Sequence, residues 1–208
     1  MSARRLVPVL GLCGLAVACT SVMQREPAEP SPAQVKAVLA SSFQAKGQAK
    51  LDRLDQDELQ KACSHAGEKP LSPEAAHRIQ AEELATVRYP QGGLLGDWKA
   101  GEKIAQTGTG KQYNDDPSQP SGGNCYACHQ LAPGEVAYGN MGPSLYRFGA
   151  TRGYTPEMQK YVYAKVYDSN AFTACSNMPR FGHMGILTEQ QIKDVVALVM
   201  DPKSPVNQ

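Results

Sequence analysis

The stretch Gly122-Gly123-Asn124-Cys125-Tyr126-Ala127-Cys128-His129 decides the fold of this chain. Two residues separate Cys125 from Cys128, so the two thiols can reach the two vinyl groups along one edge of a porphyrin. His129 follows directly and is placed to ligate the iron from the proximal side. The spacing therefore predicts one covalently attached haem c.

A Cys-x-x-Cys pair also occurs as a redox dithiol or as half of a zinc site. A zinc site needs a second pair of ligands at similar spacing, and the sequence offers none. A thioredoxin-like dithiol lies between a strand and a helix, whereas a loop rich in Gly, Pro and Ser precedes this motif. Covalent haem is therefore the favoured interpretation.

The N-terminus has the pattern of an export signal, which we assign to residues 1–18. Arg4-Arg5 precedes an apolar core, residues 7–17, that is too short to predict a membrane-spanning helix. Ala16-Val17-Ala18 fits ordinary cleavage near Cys19, or else Cys19 becomes the lipidated first residue. We expect export to the periplasm, and contact with a membrane only through such a lipid anchor.

The balance of charges excludes one class of partner. The sequence has 21 basic and 20 acidic residues, a formal charge of +1. Loss of Arg4 and Arg5 with the leader leaves 19 basic against 20 acidic residues. Because there is also no Lys/Arg run, we expect no nucleic-acid partner.

The remaining cysteines predict a disulfide. Those of the leader are removed or acylated, and those of the central motif hold haem, which leaves Cys63 and Cys175. An oxidising compartment favours a bond between them. The alternative is a pair of buried free thiols.

Periodic apolar residues predict helices and no strands. A helix should run from Trp98 to about Thr107, with Gly101 on its packed face because a glycine there otherwise costs about 1 kcal/mol. Another should follow Thr155-Pro156. The last helix should begin at Thr188, where Gln191 completes a capping box. The pattern predicts an all-α fold.

The N-terminal half predicts a helical extension. Residues 31–91 are polar and helix-prone, and Ser72-Pro73-Glu74 has the sequence of a helix start. Its apolar stripes are narrow, so we expect it to pack on the haem domain or on a partner subunit. We divide the chain into an export signal (1–18), a tether with a helical extension (19–95) and a haem domain (96–208).

A haem with one axial histidine needs a sixth ligand or an open position. Met178, followed by Pro179, lies between the haem motif and the last helix, and its thioether would stabilise ferrous iron. Met184 and His183 compete because they lie in the same loop, and Met141 is a weaker candidate. We rank Met178 first.

The haem domain resembles a class I cytochrome c, and more closely the SoxX family of mono-haem subunits of SoxAX complexes. The resemblance covers about 97–208. Beyond the haem motif it rests on three blocks: Gly142-Pro143-Ser144-Leu145, Met178-Pro179-Arg180-Phe181-Gly182, and Leu187-Thr188 through Asp201-Pro202-Lys203-Ser204-Pro205-Val206-Asn207. It implies that the Pro143 carbonyl orients His129 and that Met178 is the distal ligand.

The resemblance also implies a function. SoxAX complexes couple thiosulfate oxidatively to a carrier-protein cysteine, giving an S-thiosulfonate and two electrons. This chain would be the electron-transfer subunit, without catalytic residues of its own. Its implied partners are a SoxA-type cytochrome, the carrier protein and a soluble cytochrome c acceptor. Arg147, Arg152 and Arg180 could bind haem propionates or thiosulfate, or could be surface charges. The alternative function is a free-standing periplasmic cytochrome c shuttle.

Overall fold

The computed structural model describes residues 29–64 and 69–208. The predicted export signal and Cys19 lie outside the described residues. Those residues contain seven α-helices and no β-strand, which confirms the all-α prediction. The helices are α1 (Pro32–Ser42), α2 (Glu58–Cys63), α3 (Pro73–Thr86), α4 (Trp98–Gln106), α5 (Phe148–Arg152), α6 (Pro156–Tyr167) and α7 (Glu189–Met200).

The chain divides into two compact units, residues 1–41 and 42–208. In the first unit, the described residues consist almost wholly of α1, which buries no side chain. The second unit holds the remaining helices, so the predicted boundary at 95/96 falls inside it. In the part of the chain that the structure describes, no helix has the length and hydropathy needed to cross a bilayer.

The helices α4 and α7 cross at Gly101. A Cβ atom at this position would meet the backbone carbonyl of Asp194 and the side chain of Leu198. A second contact follows just before α4, where the backbone N–H of Asp97 donates to the Asp194 carboxylate at 2.9 Å. The predicted close approach at Gly101 is therefore confirmed, and its partner is the middle of α7.

The last helix is more buried than its sequence stripe predicts. Thr188 and Gln191 form the expected capping box, and Ile192, Val195, Val196 and Val199 face the core. In addition Asp194 and every residue from Ala197 to Met200 are buried. The helix lies between α4, α6 and the C-terminal turn, so that it has no solvent face over its second half.

The C-terminal segment folds back onto α7 and satisfies its last carbonyl groups, which have no partner within a helix. The hydroxyl of Ser204 donates to the Leu198 carbonyl. The Asn207 amide donates to the carbonyls of Val199 and Asp201 at 3.0 and 2.9 Å. The same side chain accepts from the backbone N–H of Ala150 in α5 at 3.1 Å. The tail thereby ties α5 to α7.

The segment 42–95 packs on the haem domain. A disulfide joins Cys63, the last residue of α2, to Cys175. The Tyr163 hydroxyl of α6 donates to the carbonyl of Arg88 at 3.2 Å. Leu59 of α2 and Ile79 of α3 are buried. Of the two placements predicted for the extension, on the haem domain or on a partner subunit, this segment has the first.

Gly101→Ala should destabilise the protein although alanine favours helices. The added methyl meets a backbone carbonyl that cannot rotate away, and such overpacking costs about 1–3 kcal/mol. We expect a fall of several degrees in the melting temperature followed by far-ultraviolet circular dichroism.

The matched control is Gly134→Ala, because a Cβ there meets nothing within 4 Å among the described residues. Equal melting temperatures for both variants would contradict the close crossing.

Candidate haem site

The haem motif forms a tight turn held by the end of α4. Cys125–Ala127 is one turn of 3₁₀ helix, and Asn124 before it adopts the left-handed conformation, with φ 46°. The N–H of Gly123 donates to the Ile104 carbonyl at 2.8 Å, and that of Asn124 donates to the Thr107 carbonyl at 2.9 Å. The position of the turn therefore follows from the position of α4.

The two cysteines of the motif form no disulfide and are half-buried. Burial raises the pKa of Cys125 to about 12, with the charge of Cys128 adding to it. A redox dithiol needs a lowered thiol pKa, so this environment disfavours redox-dithiol chemistry. It is compatible with thioether bonds, since a thioether carries no charge.

His129 is oriented by the loop that follows it. Its Nδ1–H donates to the carbonyl of Pro143 across 2.7 Å, which fixes the tautomer and leaves Nε2 free for a metal. Gly142 permits the approach, because a Cβ there would lie on the imidazole ring. The N–H of Gly142 also donates to the Cys128 carbonyl at 2.8 Å. The cysteines and the oriented imidazole fit a haem c.

Met178 is held by hydrogen bonds on both sides of its backbone. The buried Ser169 hydroxyl donates to the Met178 carbonyl at 2.6 Å. The Met178 N–H donates to the Ser176 hydroxyl at 3.2 Å. The side chain is half-buried and packs against the main hydrophobic core. The methionine ranked first is therefore in an apolar environment with a fixed backbone.

The competing candidate ligands are either exposed to solvent or in contact with other polar side chains. Met141 is 74% exposed and Met184 is 52% exposed. The sulfur of Met184 lies 3.6 Å from the Arg180 guanidinium. In His183, Nδ1 lies 3.2 Å from the Thr86 hydroxyl and Nε2 lies 3.4 Å from Arg180. Both ring nitrogens of His183 therefore face polar groups of the protein.

Arg180 differs from the sequence expectation. The side chain is only 7% exposed, and Nη2 is paired with the Asp57 carboxylate, while Nη1 lies 3.5 Å from Glu83. Arg180 is thus not a surface charge, because its guanidinium pairs with two carboxylates of the extension, those of Asp57 and Glu83. Arg147 and Arg152 are exposed.

Sequence reasoning missed the acidic residues around the loop that carries Met178 (residues 172–188, the distal loop). Asp57, Glu83 and Asp168 lie far apart in the chain and belong to no motif. The structure brings them together beside Arg180 and His183. The only sequence signal was the short spacing between an arginine and a histidine in a loop that carries a candidate ligand.

Comparison with known proteins agrees with this site. The family model described as cytochrome c matches residues 118–201, which include the haem motif, the distal loop and α7. A protein of Aquifex aeolicus (strain VF5), described as an uncharacterized lipoprotein, is 37% identical over 185 residues. The alignment covers 84% of this chain and 86% of that protein, so it includes most of the extension as well.

Gly142→Ala should weaken the proximal ligation. The new methyl occupies the place of the imidazole ring, so the ring must leave the Pro143 carbonyl. We expect the purified protein to show a high-spin, five-coordinate component in its absorption spectrum.

Gly93→Ala is the control, since a Cβ at that position meets nothing within 4 Å in the described parts of the chain. A Gly142→Ala spectrum indistinguishable from that of the control would show that the glycine is not needed for ligand orientation.

Proposed function

Because the chain belongs to the cytochrome c family, as a class I cytochrome c with one covalent haem c, we propose that it is the electron-transfer subunit of a SoxAX-type complex. The bound haem c supplies a one-electron iron couple. The complex would couple thiosulfate to a carrier-protein cysteine, and the two electrons released would leave through this chain one at a time. A soluble cytochrome c would accept them.

The observation that carries this proposal is the state of the candidate axial ligands. His129 is fixed by the Pro143 carbonyl at 2.7 Å. Met178 is the one thioether candidate that is neither largely exposed nor in contact with Arg180. A saturated His/Met pair leaves no position for a substrate, which suits electron transfer. The active site would then lie in a partner subunit, as in SoxAX complexes.

The loop beside the haem motif suits a protein partner. Val136 is 98% exposed, and Tyr138 and Met141 are also exposed. The N–H of Gly139 donates to the Tyr126 carbonyl at 2.8 Å, so this loop is attached to the haem motif. Exposed apolar side chains grouped in this way are typical of interaction sites. An electron partner that docks there would lie beside the motif whose residues Cys125 and Cys128 would hold the haem.

The second candidate is a free-standing, lipid-tethered cytochrome c. The description of the Aquifex relative as a lipoprotein favours a tether at Cys19 in this chain too. A tether does not discriminate between the two functions, because a complex can also be anchored. The presence of a stable partner does discriminate.

Met178→Ala should remove the distal ligand. Loss of the thioether abolishes the ferric charge-transfer band at the red end of the visible spectrum and lowers the reduction potential. Met184→Ala is the matched control, and its spectrum should be unchanged because that sulfur contacts Arg180. If the band persists in Met178→Ala and disappears in Met184→Ala, the assignment is reversed.

Purification of the tagged full-length chain from its host should yield a stable heterodimer with a second c-type cytochrome. We expect thiosulfate to reduce the haem only when that partner and the carrier protein are both present. Val136→Lys should slow this reduction without changing the spectrum, whereas Val38→Lys on α1, which is also exposed, should not. A monodisperse monomer would favour the shuttle, and thiosulfate turnover by the isolated chain would contradict both functions.

A further inference from the structure

Three side chains from distant parts of the chain converge beside the distal loop. Glu83 lies in α3, Asp168 directly follows α6, and His183 lies in the loop after Met178. Nδ1 of His183 lies 3.3 Å from Oδ2 of Asp168 and 3.6 Å from Oε2 of Glu83. All three ligand atoms lie within 4.8 Å of one another.

Each carboxylate turns into this cluster one buried oxygen that makes no hydrogen bond among the described residues. The Asp168 side chain is fully buried, and its Oδ1 accepts from the N–H of Asn170 at 2.9 Å. Its Oδ2 and the Oε2 of Glu83 are buried and make no hydrogen bond among the described residues, and Oε2 has the 3.5 Å ion-pair contact with Arg180 Nη1. A buried carboxylate oxygen that makes no hydrogen bond costs free energy. The cluster is therefore incomplete without a further positive group.

The charges of the neighbouring groups do not balance. Asp57, Glu83 and Asp168 bring three carboxylates, and Arg180 brings one positive charge. With a neutral His183, the cluster has an excess of two negative charges. Burial raises the pKa of Glu83, and the adjacent Asp168 carboxyl raises it further. A divalent cation or two protons would restore neutrality.

We propose that Glu83, Asp168 and His183 bind a divalent metal ion that accepts nitrogen and oxygen ligands, with zinc as the best fit. Bonds of about 2.0–2.2 Å to a tetrahedral ion place neighbouring ligand atoms about 3.3–3.6 Å apart. The two measured separations from His183 Nδ1, 3.3 and 3.6 Å, lie in that range. The Thr86 hydroxyl, 3.2 Å from the same nitrogen, or a water completes the site.

The donor set selects the class of ion. One imidazole and two carboxylates suit zinc and other first-row divalent ions, whereas calcium and magnesium prefer oxygen ligands alone. Ligation through Nδ1 places the proton of His183 on Nε2, where two N–H donors then face each other across the 3.4 Å contact with Arg180, so Arg180 must give up this contact when the ion binds. Arg180 then relies on Asp57, with which it is already paired.

The ion would connect the extension to the distal loop. Glu83 belongs to the segment before the haem domain, while His183 lies five residues after Met178. Together with the Cys63–Cys175 disulfide, the ion would make a second cross-link between these two regions. The site is separate from the haem ligands, and its existence does not depend on the proposed SoxAX function.

The test uses the haem-loaded full-length protein without a polyhistidine tag. After treatment with a chelator, the protein is titrated with zinc chloride by calorimetry, and bound zinc is counted by mass spectrometry apart from haem iron. We expect one zinc per chain, and a melting temperature that rises with zinc concentration. Glu83→Gln and His183→Gln should each weaken zinc binding by at least about 10–100-fold.

Two controls match these variants. Glu82→Gln changes the neighbouring acid on α3, which is exposed and paired with Arg78. His77→Gln changes an exposed histidine of the same helix. Both should bind zinc like the unaltered protein. The proposal is overturned if the unaltered protein binds no more zinc than Glu83→Gln. It is also overturned if Glu83→Gln melts higher than the unaltered protein with and without zinc, since two protons would then balance the cluster.

Discussion

The close crossing of α4 and α7 at Gly101 is the constraint on which the haem site depends. The C-terminal end of α4 holds the haem-binding turn through the carbonyls of Ile104 and Thr107. The other half of the proximal site depends on α7, because the turn that follows it accepts the N–H of Arg147 at the carbonyl of Val206. The loop carrying Pro143 lies just before Arg147. The distance between α4 and α7 therefore sets the position of the Pro143 carbonyl relative to His129. A side chain larger than hydrogen at Gly101 would change that distance, and with it the contact between Pro143 and His129.

The loop that carries Met178 lies within the matched cytochrome c region, but parts of the chain outside that region hold it in place. The disulfide brings α2 against the loop that carries Met178, and Asp57 and Glu83 hold the buried guanidinium of Arg180 in the same loop. Breaking one partner of a buried ion pair is strongly destabilising because it leaves an uncompensated charge. The extension is therefore part of the wall around Met178, the proposed distal ligand, and the alignment with the Aquifex relative includes most of the extension as well.

Local chemistry explains what could be predicted from the sequence. The haem motif, the capping box at Thr188 and the packed face of Gly101 each depend on residues a few positions apart, and the structure has all three. The burial of Arg180 and Asp168 was not predictable, because their partners are remote in the chain and solvation depends on the assembled fold. The complete burial of the second half of α7 was missed for the same reason: the C-terminal tail covers a face that looks like a solvent face in the sequence.

A difference in rigidity between the two sides of the site follows from these contacts. On the proximal side, the ligand is held by short backbone links that belong to the haem domain itself, including the 2.7 Å hydrogen bond from His129 to Pro143. On the distal side, the loop of Met178 is held by charges and a disulfide that come from a different segment. Arg180 is buried, so salt screens its ion pairs little, and their strength depends on the extension that supplies the two carboxylates. Met178, the proposed distal ligand, is therefore the residue through which the extension would influence the reduction potential, because a thioether bond to iron tunes that potential directly.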